Sequence, residues 1–149
     1  MKRTTHPLLF AALLLGAGIA NAEPHPGPQN LAVSPDGKTL YVAAMTAKQI
    51  LFVDAEKAAV ARKTDLPMPP SGMVLSPDGA RLLVTCPAPA STTQILAPAS
   101  GVVAATISAG HTATAPVISP DGKTLYACYR FDGAVGVIDL AAGKETSRI

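Results

Sequence analysis

The chain has 149 residues, of which 48% are hydrophobic and 15% charged, and its formal net charge is +2. Lys2 and Arg3 account for that excess, so the rest of the chain is neutral and lacks the basic patch of a nucleic-acid-binding domain. No block of like charge indicates a helix that lies on a membrane surface.

The first 22 residues have the pattern of an export signal. A positively charged start precedes an apolar or glycine run from Leu8 to Ala20, and Ala20-Asn21-Ala22 is the small-x-small pattern that signal peptidase cleaves. A membrane-spanning helix needs roughly 20 apolar residues, and the prolines that follow would break a helix. The sequence therefore predicts cleavage after Ala22, a periplasmic, cell-surface or secreted protein, no membrane span, and a Pro-rich leader at residues 23–27.

One tetrapeptide recurs three times, about 42 residues apart, which is the length of one four-stranded β-propeller blade. Pro presets φ for a type I turn, Asp is favoured in turns, and Gly accepts the left-handed conformation of a hairpin with a bulge. Each copy therefore predicts a tight hairpin between the first two strands of a blade. The predicted turn residues are Ser34-Pro35-Asp36-Gly37, Ser76-Pro77-Asp78-Gly79 and Ser119-Pro120-Asp121-Gly122.

The same strands are predicted around each copy, in the same order. A short apolar stretch precedes the turn, a β-rich run follows it, and two further strands complete the unit. Leu82-Leu83-Val84 is continuously apolar, which is typical of strands covered on both faces, whereas the fourth strands carry the charge of an outer edge. The sequence predicts an all-β fold, a β-propeller of four-stranded antiparallel blades, with three blades at residues 28–66, 67–108 and 109–149.

The repeat resembles the YVTN-type β-propeller repeat of bacterial and archaeal surface and periplasmic proteins. Blade one matches that signature at Pro28, Leu40-Tyr41-Val42 and Asp54, whereas blade two departs from it at Leu83 and Ala97. The resemblance implies a seven-bladed propeller, which would need about 300 residues at this blade length. Three blades do not close a ring, because propellers typically have four to eight. We therefore expect either an N-terminal part of a longer propeller, with its remaining blades as partners, or several copies assembled into one ring, and we favour the first.

Two kinds of loop are expected at one mouth of the central channel, where loops on a rigid scaffold commonly carry function. One kind joins an outer strand to the next inner strand and the other joins the two middle strands: 67–71 and 110–114, and 46–48, 87–91 and 130–133. His111, Arg130 and Asp132 are the most chemically capable side chains in these loops. They predict a site for an anionic ligand, a protein partner or the cofactor of a neighbouring domain, the alternative being a solvated His and a surface Arg–Asp pair.

No catalytic residue and no metal site is predicted, because no paired carboxylates recur and the turns explain the repeated aspartates. Cys86 and Cys128 fall on the second strands of adjacent blades with opposite facing, which would allow them to point toward each other across the gap between the blades. The spacing leaves open a disulfide bridge and, as the favoured alternative, two buried thiols. No cofactor is predicted within the chain.

Three functions remain open. The first is a non-catalytic binding or scaffold propeller for an unknown protein or small molecule. The second is the propeller part of a periplasmic redox protein, because some proteins that resemble this chain, including around Gly110-His111-Thr112-Ala113, continue into a cytochrome c or peroxidase-like domain that binds haem. The third is a lactonase-like hydrolase, which would require catalytic acids that the sequence does not supply.

Overall fold

The computed structural model describes residues 25–149, so the predicted signal peptide at 1–22 and the start of the leader lie outside the described residues. The described chain forms twelve β-strands. They are β1 (Pro28–Val33), β2 (Thr39–Ala44), β3 (Gln49–Asp54), β4 (Ala59–Asp65), β5 (Gly72–Leu75), β6 (Leu82–Cys86), β7 (Ser91–Leu96), β8 (Val103–Ala109), β9 (Ala113–Ile118), β10 (Thr124–Tyr129), β11 (Ala134–Asp139) and β12 (Lys144–Arg148).

Consecutive strands pair into three antiparallel sheets, β1 to β4, β5 to β8 and β9 to β12, which we call blades 1, 2 and 3. The predicted all-β architecture of four-stranded propeller blades is confirmed. The first strands lie side by side, since β1 contacts β5 and β5 contacts β9, whereas the fourth strands are the most exposed. No helix within residues 25–149 has the length and apolar character that crossing a membrane requires.

Each Ser-Pro-Asp-Gly motif lies at the hairpin between the first and second strands of its blade. In blade 1, Asp36 Oδ1 accepts hydrogen bonds from the Ser34 hydroxyl at 2.6 Å and from the Lys38 N–H at 3.0 Å, and Ser34 Oγ accepts one from the Thr39 N–H. Gly37 has a φ of 72°, in the left-handed region that favours glycine. The other two motifs repeat these bonds. The aspartates therefore hold the turns closed.

Most of the core lies in the two joints between blades. At the joint between blades 1 and 2, Tyr41 and Phe52 pack against Leu82, Val84 and Cys86. The joint between blades 2 and 3 is built in the same way from a second set, which is Leu83, Ile95, Ile107, Leu125, Ile138 and Leu140. Because blade 2 is covered on both faces, every residue of β6 is buried.

The two cysteines are free and face away from each other. Cys86 is buried toward blade 1, whereas Cys128 is exposed on the face of blade 3 that points away from blade 2. Leu125 and Ala127 occupy the alternate positions of β10 and face blade 2, which leaves Cys128 on the far side. The opposite facing was predicted correctly, but the thiols point apart rather than across the gap. The expectation of two buried thiols is wrong for Cys128.

Two predicted loops are shorter than expected. Strand β7 begins at Ser91 and β9 begins at Ala113, so the predicted loops at 87–91 and 110–114 each lose residues to a strand. Ser91 Oγ accepts hydrogen bonds from the N–H groups of Ala88 and Ala113, at 3.1 and 2.9 Å. This hydroxyl joins the start of β7 to the start of β9. The small and polar residues of the two loops did not indicate that connection.

Candidate functional site

The loops between the second and third strands lie at the same end of the blades as the connections between one blade and the next. The Thr112 N–H donates to the Ala88 carbonyl at 2.9 Å, and the Arg130 N–H donates to the Thr112 carbonyl at 3.3 Å. His111 and Asp132 also meet there, since the His111 N–H donates to Asp132 Oδ2 at 3.0 Å. The structure thus brings the three predicted site residues into one group of interlocked loops.

Asp132 pairs with a residue that sequence reasoning missed. Its carboxylate lies 2.9 Å from Arg148 Nη1 on the outer strand, whereas the anticipated Arg130–Asp132 pair is not among the ion pairs of residues 25–149. Arg148 also binds Glu145, whose other oxygen accepts a hydrogen bond from the Tyr129 hydroxyl at 2.8 Å. Arg148 is one of the charged residues of the fourth strands, which the sequence indicated only as an outer edge. The glycine opposite it, Gly136, was the available signal, because its missing Cβ makes room for the Tyr129 ring, and the Arg148 guanidinium carbon lies 5.1 Å from the centroid of that ring.

This network fixes the charges of its members. The hydrogen bond from Arg148 lowers the pKa of Glu145 below its ordinary value, and the hydroxyl of Tyr129 adds to that effect. Burial, followed by the hydrogen bond to Glu145, raises the pKa of Tyr129 to about 12, so this phenol remains protonated at neutral pH. Asp132 Oδ2 is also engaged within the protein, because it accepts hydrogen bonds from the His111 N–H and from Arg148 Nη1.

The exposed part of the site is an aromatic ring with two nitrogen-bearing neighbours, which we call the mouth cluster (His111, Arg130 and Phe131). The His111 and Phe131 rings meet edge to face with their centroids 5.0 Å apart, and the Arg130 guanidinium carbon lies 5.7 Å from the Phe131 centroid. Phe131 is 67% exposed. Sequence reasoning missed it, although an aromatic residue between Arg130 and Asp132 in a polar loop was a visible signal.

The orientation of the His111 ring is fixed by the next residue, Thr112. Its Nδ1 lies 2.9 Å from Thr112 Oγ1, which leaves Nε2 available to a ligand. Thr112 has a φ of 54°, a left-handed conformation that costs a β-branched residue on the order of 1–3 kcal/mol. The two backbone hydrogen bonds of Thr112 described above offset that cost and fix the orientation of the loop.

The mouth cluster offers a hydrogen-bonding imidazole, a cation and an apolar ring, and these groups can bind a ligand without any covalent chemistry. Within residues 25–149 no three His, Cys, Asp or Glu side chains are grouped so as to hold a metal ion. The repeated turn aspartates lie at the opposite end of the blades and take no part in this site.

No protein-family model matches the chain, and no curated protein matches it. Among solved structures, it is similar to hydrazine synthase of Kuenenia stuttgartiensis, with 27% identity and a TM-score of 0.76 over 89% of this chain and 38% of that one. It is also similar to a proposed 6-phosphogluconolactonase of Bacteroides fragilis, with 20% identity and a TM-score of 0.72 over 85% of this chain and 40% of that one, which shows the fold alone. The chain thus spans about two fifths of the structures that it resembles, and their likeness places it among propeller-type folds.

Proposed function

We propose that this protein is an exported β-propeller module that binds a protein or small-molecule partner through the mouth cluster and performs no catalysis there. The exposure of Phe131 is the observation that carries the proposal. A ring that is 67% exposed beside the guanidinium of Arg130 is the kind of group that dominates the energy of binding interfaces, where aromatic residues and Arg are enriched.

The loops that carry the cluster are already rigid. Asp132 is fixed by the N–H of His111 and by Arg148. Thr112 makes hydrogen bonds through both its backbone N–H and its backbone carbonyl. A preordered loop loses little conformational entropy when a partner binds, so more of the contact energy appears as affinity.

The proposal extends to the setting of the module. The Ser-Pro-Asp-Gly motifs support a YVTN-type repeat, cleavage after Ala22 would export the protein, and the remaining blades of a longer propeller would be its structural partners. The exposure of residues at equivalent positions in two blades supports the last point. Leu31 of blade 1 has the same place in the strand register as Met73 of blade 2, but Leu31 is 61% exposed and Met73 is 5% exposed. Tyr126 corresponds in the same way to Tyr41, and the two are 37% and 5% exposed.

A photo-crosslinking amino acid in place of Phe131 tests the binding function in the cells that produce the protein. We expect a crosslinked product from this position and its loss when Arg130→Glu is added. The matched control replaces Val102, which is 61% exposed in a turn at the opposite end of blade 2. No product at position 131, or the same product from position 102, would contradict the proposal.

A second candidate is the propeller part of a periplasmic redox protein. The observation that favours it is the 27% identity to a hydrazine synthase chain over 89% of this chain. In that case the mouth cluster would face a haem-binding domain or its partner, and the haem would belong to that domain. An antibody against residues 25–149 and a haem stain on the same gel band of cell extract distinguish the candidates, since only the second predicts a stained band. The lactonase-like alternative has only the likeness of fold as support.

A further inference from the structure

Strand β8 is the outer strand of blade 2, and one of its two edges has no partner strand within residues 25–149. It pairs with β7 alone, and its backbone N–H and carbonyl groups make no hydrogen bond with any other part of the described chain. In an antiparallel pair, every second residue directs its N–H and carbonyl away from the partner strand. A row of these groups therefore faces outward along β8.

This edge is uncharged, in contrast to the edges of the other two outer strands. The seven residues of β8 read Val-Ala-Ala-Thr-Ile-Ser-Ala, whereas β4 and β12 contain three charged residues each. Natural proteins commonly place charged side chains, lysine above all, on exposed edges to keep them from pairing with another strand. That protection is present on β4 and β12 and absent from β8.

The register places a threonine of β8 where the other two outer strands have a cation. Thr106 lies opposite Gln94, at the position that Lys63 occupies in blade 1 and Arg148 occupies in blade 3. Thr106 is exposed, and its hydroxyl donates to Gln94 Oε1 at 2.8 Å. A strand that approaches the middle of this edge thus meets a short, neutral side chain that is held on its own sheet.

The edge is also regular over most of its length. Each outer strand has a bulge near its turn, and a bulge twists an edge away from a potential partner. Beyond the bulge, residues 105–109 of β8 keep an unbroken register with residues 91–95 of β7. Ala105, Thr106 and Ser108 are exposed in this part of the strand, and their side chains are short. Another backbone can therefore come within hydrogen-bonding distance.

Antiparallel pairing of β8 with a second β8 about Thr106 brings no charges together. Thr106 would lie opposite its own equivalent and Ala105 opposite Ile107, and Thr–Thr pairs are among the favourable cross-strand pairs. The same arrangement about Lys63 or Arg148 would place two cations directly opposite each other, which is destabilising. Charge therefore favours β8, among the three outer strands, for pairing with itself. Such a pair has the twofold symmetry that is commonest among soluble oligomers.

We propose that β8 is a dimerisation edge, at which two copies of the protein pair antiparallel and join their second blades into one continuous sheet. The twofold axis passes beside Thr106. The outer strand is remote from the central channel, so the pairing leaves the mouth cluster and the outward faces of blades 1 and 3 uncovered. The proposal does not depend on the function proposed for the mouth cluster.

Sedimentation velocity of the full protein over a range of concentrations tests the association. We expect a reversible equilibrium between monomer and dimer. Thr106→Lys should raise the dissociation constant by at least about tenfold, because it places like charges opposite each other across the interface. Blade 1 has a lysine at this position, so the variant should fold as the wild type does. Ser147→Lys adds the same charge on the exposed outer strand of blade 3 and should leave the equilibrium unchanged.

Association through the apolar faces of blades 1 and 3 is the alternative that these measurements must separate. Tyr126→Lys places a charge on the face of blade 3 and leaves β8 intact, so it should not change the dissociation constant. A protein that stays monomeric at every concentration overturns the proposal. A dimer that is weakened by Tyr126→Lys but not by Thr106→Lys also overturns it.

An engineered thiol at position 106 tests the register of the pair. In a Cys128→Ser background the remaining native thiol, Cys86, is buried. Thr106→Cys then places two thiols directly opposite each other, with Cβ atoms within about 5.5 Å, and mild oxidation should give a disulfide-linked dimer. Ser108→Cys is the matched control, since position 108 lies opposite position 104 of the other copy and the two thiols stay apart. Crosslinking at position 108 that equals or exceeds that at position 106 contradicts the pairing.

Discussion

Asp78 shows how a turn aspartate acts through two hydrogen bonds. Its Oδ1 accepts one from the Ser76 hydroxyl at 2.5 Å and one from the Ala80 N–H at 3.0 Å. These bonds, the one from Ser76 first, lower the pKa of Asp78 below 3.8. A carboxylate whose pKa is lowered by folding contributes stability above its unfolded pKa, and this contribution is lost as the pH falls through the folded pKa.

We therefore predict that Asp78→Asn changes the acid dependence of stability. The variant keeps an oxygen that can accept the Ser76 bond, so we expect only a small fall in the melting temperature at neutral pH. Below pH 3.8 the curves of the variant and the wild type should converge, because the wild type then loses the ionised carboxylate. Melting temperatures followed by circular dichroism from pH 7 to acid provide the measurement, and parallel curves would contradict the prediction.

The Tyr129 side chain occupies space that two glycines leave free. A Cβ atom at Gly136 or at Gly110 would overlap the ring of Tyr129, which is 1% exposed. We predict that Gly136→Ala lowers the free energy of unfolding by about 1–3 kcal/mol, the usual cost of overpacking a well-filled core. Urea denaturation measures this change. In the Tyr129→Ala background the same substitution should cost much less, and an equal cost in both backgrounds would show that the overlap is not the cause.

At the scale of the strands, Ser91 connects blade 2 to blade 3. Its hydroxyl oxygen accepts the N–H of Ala113, and Ser91 is 1% exposed. Ser91→Ala would leave the buried N–H without this partner, which costs about 1–3 kcal/mol of unfolding free energy. Ser100→Ala is the matched control, because Ser100 makes a comparable bond at an exposed turn and its loss should cost little. If the two variants were equally stable in urea, the hydroxyl of Ser91 would not be the connection that we infer.

The strand order was predictable because it depends on residues that are close together in the sequence. The Pro-Asp-Gly turns and the continuous apolar run at Leu82 predict antiparallel strands covered on both faces, and the blades have that form. The meeting of His111 with Asp132 also followed from placing two loops at one end. The contribution of Arg148 to the same site did not, because it depends on a long side chain that reaches from the outer strand to the loop.

The hydrogen bond from Arg81 across the joint between blades 2 and 3 was unpredictable for a related reason. Thr39 and Arg81 each precede the apolar part of a second strand, where either residue is compatible with the repeat. Their difference matters only across the joint, where Arg81 reaches the carbonyl of Gly122. Periodicity reports which face a residue occupies, but it does not report how far its side chain extends toward the next blade.

At the scale of the whole molecule, blades 1 and 3 each turn one apolar face away from blade 2. Leu31 and Val33 are 61% and 57% exposed on blade 1, and Val117 and Tyr126 are 59% and 37% exposed on blade 3. In blade 2 both faces are covered by neighbouring blades. Contiguous apolar surface of this kind marks an interface, and the proposed remaining blades of a longer propeller would cover it.

Cys128 reports on that face, because it lies on the same side of β10 as Tyr126. If further blades cover blade 3 in the native protein, the Cys128 thiol should react with maleimide as slowly as Cys86, whose burial raises its pKa to about 11. The variants Cys86→Ser and Cys128→Ser leave one thiol each, and both should react fully in urea. Rapid labelling of native Cys128 would show that the face is open and would contradict the proposal of further blades. Protection that disappears on dilution would identify a second copy of the chain as the covering element, since only an intermolecular contact depends on concentration.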